Sequence, residues 1–357
     1  MNLLHNTLDG INTGDPYYAE LAQARQNTLT KPAGSLGELE NVGIKLAKIQ
    51  GSCPPKPISN PVVAIFAGDH GVLKESVSPW PQEVTAEMVY NFLNGTAAVN
   101  VIANTVGADV YVIDAGVALD INNADNNPNF IVKKIANSTK NIVQENAMNY
   151  DSAVVCLEEG IRVANTLIDK GYDLLATGDM GIGNTTPSAA IIACITDTNP
   201  HDATGRGTGI DDQMLTKKIK VIQSAITRAK SNNDLSDPIS VLSALGGFEI
   251  GQIAGFILGA ANRKTPVILD GVISLAGALI AYELCNTISE YSFAGHLSVE
   301  PGAAIALKRL NLSPLVNLNL RLGEGTGAAL SIPIIKAAAN ILNDMATFES
   351  ANISNKD

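Results

Sequence analysis

Aromatic side chains are scarce in this chain. They make up 4% of its 357 residues, and Trp80 is the single tryptophan. The core must therefore be aliphatic, and an apolar content of 46% is enough to fill a large domain. Cysteine is rarer still. Cys53, Cys156, Cys194 and Cys285 are scattered, with no Cys-x-x-Cys pair. This excludes a disulfide scaffold and points to reduced thiols of a cytoplasmic protein. Positive charge is also short. Lys and Arg number 24 against 35 Asp and Glu, for a net charge of −11, and no basic cluster offers a nucleic-acid surface. The histidines at 5, 70, 201 and 296 lie too far apart in sequence for a metal-ligand motif. Asp69-His70 is a neighbouring pair that could in principle bind a metal, but an ordinary strand-end pair is the plainer reading. The start, Met1-Asn2-Leu3-Leu4-His5-Asn6, lacks the basic end and apolar run of a secretory signal. The longest apolar stretch, Val272 to Leu284, is interrupted by glycine and Glu283 and is too short to span a bilayer. Composition thus predicts an acidic enzyme with no nucleic-acid partner and no membrane insertion.

Glycine is abundant, at 31 residues, and much of it gathers in short loops. Those loops follow apolar runs. Val62 to Ala67 ends at Gly68-Asp69-His70-Gly71. Ala108 to Ile113 ends at Asp114-Ala115-Gly116. Leu174 to Thr177 ends at Gly178-Asp179-Met180-Gly181, and Pro266 to Leu269 ends at Asp270-Gly271. Each run has the length and composition of a buried strand, and alanine-rich helical stretches separate them. This alternation predicts an α/β fold, with a mostly parallel, Rossmann-like sheet and helices on both faces. The polar clusters would share the carboxyl-end rim, where such sheets bind ligands. Residues 1–50 and the segment from Ile332 to Phe348 read as helical. The expected organisation is a large α/β domain over 60–305, with a small helical domain built from 1–50 and 306–357. Pro54-Pro55-Lys56-Pro57 is a stiff linker. The loop from Asn122 to Asn129 is polar and without evident chemistry.

Three glycine loops and one carboxylate carry candidate chemistry. Gly178 to Pro187 follows a strand and opens a helix, with Asn184, Thr185 and Thr186 at the helix cap. Backbone N–H groups there make a phosphate cradle; an ordinary strand-to-helix turn is the plainer reading. The loop is neither a Walker A motif nor a dinucleotide fingerprint. Gly205-Arg206-Gly207-Thr208-Gly209 is a second loop. Lys218 follows it in a basic run, placed either to meet a phosphate or on a solvated helix face. Gly295 to Gly302 is a third polar loop, in which His296 has no evident partner. Glu324 stands alone between glycines in Arg321-Leu322-Gly323-Glu324-Gly325-Thr326-Gly327. It is either a turn residue or a base aimed into a pocket.

Taken together, these segments resemble the nicotinate-nucleotide–dimethylbenzimidazole phosphoribosyltransferase family of cobamide assembly. The matching stretches are Lys31 to Gly37, Phe66 to Val72, Trp80 to Thr85, Gly178 to Thr186, Gly205 to Asp212, Ala244 to Ile250, Leu269 to Gly271, His296 to Gly302 and Arg321 to Leu330. They occur in family order and cover nearly the whole chain. The resemblance implies transfer of ribose phosphate from nicotinate mononucleotide to a ring nitrogen of 5,6-dimethylbenzimidazole, with no cofactor and no metal. It implies Glu324 as the catalytic base. Asp179 stands where many members have glutamate, which shortens that side chain by one methylene. Gly181, Gly183, Asn184, Thr185, Gly205, Gly207, Lys218 and Ser298 fall at positions associated with the nucleotide. Trp80, Met88 and Met180 fall where the family lines its acceptor pocket. Their apolar character also suits phenolic acceptors, so a phenol-activating paralogue, working as a heterodimer, is the alternative. A non-enzymatic nucleotide-binding subunit fits less well, because Glu324 and the glycine loops are intact. The resemblance further implies a homodimer in which the neighbour helps to close the acceptor pocket.

Overall fold

The computed structural model describes residues 3–122, 124 and 126–354. Asn123 and Asp125, within the asparagine-rich loop, lie outside the described residues, as do Met1 and Asn2. Seven strands form one sheet: β1 (Pro61–Gly68), β2 (Asp109–Gly116), β3 (Phe130–Val132), β4 (Leu174–Met180), β5 (Val267–Leu269), β6 (Ser292–His296) and β7 (Pro314–Val316). Their order is β3-β2-β1-β4-β5-β6-β7, and every pairing is parallel. The four strands expected from the apolar runs are all present. β3, β6 and β7 are additional. They are short, and β6 (Ser-Phe-Ala-Gly-His) has the composition of a loop, so its strand state comes from pairing with β5 and β7 rather than from propensity. Gly295 and His296 therefore close a strand, and the third polar loop begins only after them.

The helices are α1 (Leu3–Gly10), α2 (Pro16–Thr28), α3 (Glu38–Gln50), α4 (Glu83–Leu93), α5 (Ala98–Val106), α6 (Tyr150–Asp169) and α7 (Thr185–Ile195) in the first half. In the second half come α8 (Pro200–Ala203), α9 (Asp212–Asn232), α10 (Pro238–Leu245), α11 (Phe248–Asn262), α12 (Val272–Leu284), α13 (Pro301–Leu310) and α14 (Thr326–Asp344). Many begin on signals in the sequence. Asp15, Asn149, Asp211 and Asp237 each accept a hydrogen bond from an N–H in the first turn of the helix that follows, and Pro16 and Pro238 open two of these helices.

Alternation along the central strands places these helices on opposite faces of the sheet. On β4, Thr177 bonds Ser274 of α12 through its hydroxyl. The next residue, Gly178, lies against the Glu324 carbonyl just ahead of α14. On β1, Phe66 stacks edge-to-face on Phe256 of α11, whereas Val63 faces Gly325. α11 and α12 thus cover one face and α14 the other. Covered on both sides, β1 is buried along its whole length, which explains its unbroken apolar run. Val42 and Leu46 of α3 join this same core, and Ala22, Ala47 and Leu342 form a small satellite cluster between α2, α3 and α14. The chain order reverses between β1 and β4. That crevice is where sheets of this topology bind ligands.

Candidate active site

Glu324 has a φ of +64°, between Gly323 at +81° and Gly325 at +91°. A non-glycine residue in this region costs roughly 1–2 kcal/mol, and it persists only where the surroundings fix it. Asp270, at the end of β5, does the fixing. Its Oδ2 accepts from the Gly325 N–H at 3.1 Å, and its Oδ1 accepts from the N–H groups of Gly327 at 2.8 Å and Ala328 at 3.0 Å. A carboxylate more than fifty residues away in sequence thus caps α14, which has no side-chain cap of its own. The loop also lies directly on β4. A Cβ at Gly178 would sit 2.5 Å from the Glu324 carbonyl oxygen, so only glycine allows this approach.

The outcome is a carboxyl group buried in the wall of a cavity. Glu324 is 7% exposed, and its Oε2 has no hydrogen-bond partner. Burial raises its pKa to about 7. The Asp270 charge pushes the same way, and the Val99 N–H opposes both. Asp179 lies beside the loop, its carboxylate oxygens 3.3 Å from where a Gly323 Cβ would stand. Asn184 donates to Asp179 Oδ2 at 2.9 Å, and Oδ1 is buried without a partner. Burial, then the Asp270 charge, holds the Asp179 carboxyl well above the usual carboxylate range. Both carboxyls are thus held above the ordinary carboxylate range, Glu324 at about 7 and Asp179 by burial, as acid–base sites require.

A second construction adjoins the first. Lys218, predicted either to meet a phosphate or to face solvent, is buried, with 1% exposure. Its ammonium donates to Thr185 Oγ1 at 2.7 Å and to the Gly205 carbonyl at 3.2 Å. Burial lowers its pKa to about 8, against the pull of Glu300. Glu300 holds the second glycine loop by accepting from the Gly207 N–H at 2.8 Å. Both glycine loops and the first turn of α7 thus surround one buried cation. Thr85, from the Trp-Pro-Gln-Glu-Val-Thr stretch, accepts from the Ile182 N–H at 3.1 Å and ties the first loop to α4.

These groups line a cavity of about 700 Å³. Glu324, Asp179, Gly181, Asn184, Thr185, Gly207 and Ser298 lie on its wall, and Trp80, Met88 and Met180 line it with Val84. Gly183 and Lys218 line a smaller adjoining pocket shared with Asn184, Thr185 and Gly207. Gly205 enters through its carbonyl on Lys218. The candidate residues, drawn from separate parts of the chain, thus meet at one rim. Three further residues matter that carried no role in the sequence reading: Asp270, His296 and Glu300. The Asp-Gly after β5 was a visible signal for Asp270. For His296 and Glu300 the signal was the third polar loop, Gly295 to Gly302, in which both lie; their partners are set only by the fold. His70 is buried behind the wall, its Nε2 2.8 Å from Glu249 Oε1 and 3.4 Å from where a Gly181 Cβ would stand. Among the described residues, no group of three or more His, Cys, Asp or Glu is placed to hold a metal ion.

Comparison with known proteins agrees with this geometry. Residues 11–353 match the model of a family described as phosphoribosyltransferase. A Chloroflexus aurantiacus protein named nicotinate-nucleotide–dimethylbenzimidazole phosphoribosyltransferase is 49% identical over 356 residues, covering 100% of both chains. A Salinispora tropica protein of the same name is 46% identical over 366 residues, covering 99% of this chain and 100% of its own. The crystal structure of CobT from Thermus thermophilus superposes with a TM-score of 0.91 at 41% identity, covering 96% of this chain and 100% of that one. An enzyme-like cavity, the ordered motifs and full-length similarity converge: the chain belongs to the nicotinate-nucleotide–dimethylbenzimidazole phosphoribosyltransferase family.

Proposed function

We propose that the protein transfers ribose 5-phosphate from nicotinate mononucleotide to 5,6-dimethylbenzimidazole, with Glu324 as the base. The observation that carries this reading is the Glu324 carboxyl, buried on the cavity wall with a free oxygen and a pKa near 7. The donor's phosphate lies on the glycine loops, where Lys218, Thr185 and the Gly207 region meet, with Ser298 on the same wall. The acceptor lies among Trp80, Met88 and Met180. Its ring nitrogen attacks C1′ of the ribose as the C1′–pyridinium bond breaks. The bonding pair returns to the pyridine nitrogen, which departs uncharged and needs no acid. The benzimidazole N–H becomes acidic as the new bond forms, and Glu324 takes that proton. A single displacement inverts the anomeric carbon and needs no covalent nucleophile. Asp179, with its buried Oδ1 free of any partner, bonds a ribose hydroxyl in this reading.

The apolar acceptor end keeps a phenolic acceptor as the second reading. Trp80 is 51% exposed, and Leu318 and Leu322 are also exposed. Leu322 lines the same cavity. Such a rim suits closure by a second copy, so a homodimer is part of the proposal. Incubation of the protein with nicotinate mononucleotide and dimethylbenzimidazole, with product mass as readout, tests the reaction. An α-ribazole phosphate product formed in the presence of EDTA supports it. Product from phenols and none from benzimidazoles overturns it in favour of the second reading.

A further inference from the structure

The first glycine loop has a second side, turned away from the cavity. Met180, Gly181 and Ile182 line the cavity, and directly behind Gly181 lies a buried charge pair that the reaction does not use. His70, just past β1, and Glu249, in the first turn of α11, are 1% and 0% exposed, and His70 Nε2 stands 2.8 Å from Glu249 Oε1. Backbone is pressed onto the pair from two sides. A Cβ at Gly247 would lie 2.5 Å from both His70 Cε1 and Glu249 Oε2. One at Gly181 would lie 2.1 Å from the Gly68 carbonyl oxygen and 3.4 Å from His70 Nε2, so the loop has no slack against the end of β1. The next residue is tied to the same group of side chains. Ile182 donates to Thr85 Oγ1, the hydroxyl that also favours the ionised form of Asp69. Asp69 Oδ2 is fixed by the Ala118 N–H at 2.8 Å. His70 Nδ1 and Asp69 Oδ1 are buried without partners. Burial works against a charged imidazole, but the Glu249 and Asp69 carboxylates outweigh it and raise the His70 pKa above 6.5. Desolvation offsets much of the attraction within a buried ion pair, so such a pair adds little stability over an apolar one. What it does supply here is a fixed spacing between β1, α11 and the loop.

We propose that His70 and Glu249 are a positioning pair for the transfer: through Gly181 they set where the first glycine loop stands between acceptor and donor. Both substrates share this loop. Met180 belongs to the acceptor wall, and Asn184 and Thr185, at the far end of the loop, belong to the nucleotide cradle. A displaced loop leaves each half able to bind but misaligns the attacking nitrogen with C1′, and a displacement of about 1 Å costs on the order of 10²-fold in rate. The charges that face His70 are Asp69, beside it in the chain, and Glu249, from α11; the loop presents only backbone. Further out, Asp179 on β4 interacts with Glu249, and burial holds the Cys156 thiol on α6 well above its usual range. Loss of the imidazole proton removes the attraction and leaves Glu249 buried and unpaired. The loop should therefore stay in place below the His70 pKa and loosen as pH rises through it.

The effect on rate rests on the proposed reaction, so the test reads the loop and the rate separately. The ring nitrogens of His70 and the amides of Gly181 and Ile182 are followed by NMR in the isotope-labelled whole chain as pH rises. The two amides should titrate with the midpoint of the His70 ring, above 6.5. That midpoint should fall by about 1–3 units in Glu249→Gln. The amide titration should be absent in His70→Gln, whose side chain donates a hydrogen bond without titrating. In turnover, His70→Leu should lower kcat by about 10- to 100-fold with little change in either KM, and His70→Gln should recover most of the loss. At saturating donor, whose phosphate keeps Lys218 charged, kcat should fall above the His70 midpoint in the wild type and not in His70→Gln. Amides that ignore the His70 titration, an unchanged kcat in His70→Leu, or a loss confined to KM overturns the positioning role. If His70→Leu does not fold, the amide titration and the His70→Gln profile decide alone. A titrating loop without wild-type turnover overturns the reaction and leaves the link between His70 and the loop standing.

Discussion

Replacing Glu324 with glutamine should make the protein both slower and more stable. The wild-type carboxyl has a pKa raised from 4.5 to about 7, chiefly by burial. A folded-state pKa above the unfolded one means that ionisation opposes folding. The cost is absent below pH 4.5, grows between pH 4.5 and 7, and is complete above 7. At 1.36 kcal/mol per tenfold change, the gap corresponds to roughly 3 kcal/mol. The cavity is open to water, which reduces this to about 2 kcal/mol. Glutamine fits the same space and carries no charge. Thermal unfolding at pH 8 should therefore show Glu324→Gln more stable than wild type by about this amount, with the difference vanishing near pH 4.5. Turnover should move the other way. A general base contributes about 10²–10⁴-fold, so kcat should fall by that order at pH 8 while both substrates still bind. The wild-type rate should fall about tenfold per pH unit below 7, and the variant should lose that limb. Near-normal turnover in the variant would refute the reasoning and move the base to another group, with Asp179 next. Equal stability at pH 8 would mean that the carboxylate is solvated and not poised.

Lys218→Met should weaken nicotinate mononucleotide about 10- to 100-fold by calorimetry. The apoprotein should be no less stable at pH 7, because burial lowers the lysine pKa to about 8 and charging it opposes folding below that pH. Marked destabilisation of the apoprotein with unchanged affinity would assign the lysine to the fold alone. Asp270→Asn keeps its size but offers a single acceptor oxygen to three N–H groups. The Glu324 loop should loosen, kcat should drop by about 10- to 100-fold with little change in KM, and the melting temperature should fall; an unchanged kcat would mean that the loop holds without its cap. Met88→Gln should shift acceptor preference toward ring N–H compounds over phenols, as measured by product mass in mixed-acceptor competition. An unmoved ranking would place Met88 in the core and not against the acceptor.

What the sequence determined by itself was the periodic and the local. Val62 to Ala67 and Leu174 to Ala176 are apolar throughout because strands covered on both faces favour such runs. Asp15, Asn149, Asp211 and Asp237 mark helix starts because a side-chain oxygen satisfies N–H groups two or three residues ahead. The glycine loops and the isolated Glu324 were legible because such loops are conspicuous in composition. β6 was not legible, since Ser-Phe-Ala-Gly-His carries little strand preference, and neighbouring strands supply its pairing. Nor could the sequence choose between a solvated and a buried Lys218. Only packing of α9 beside α7 sets its ammonium on Thr185. The cap of α14 by Asp270 and the meeting of His70 with Glu249 join residues distant along the chain, so no local pattern records them. Tertiary structure made these decisions, because a buried carboxylate or imidazole takes its chemistry from whatever charges and N–H groups folding brings beside it.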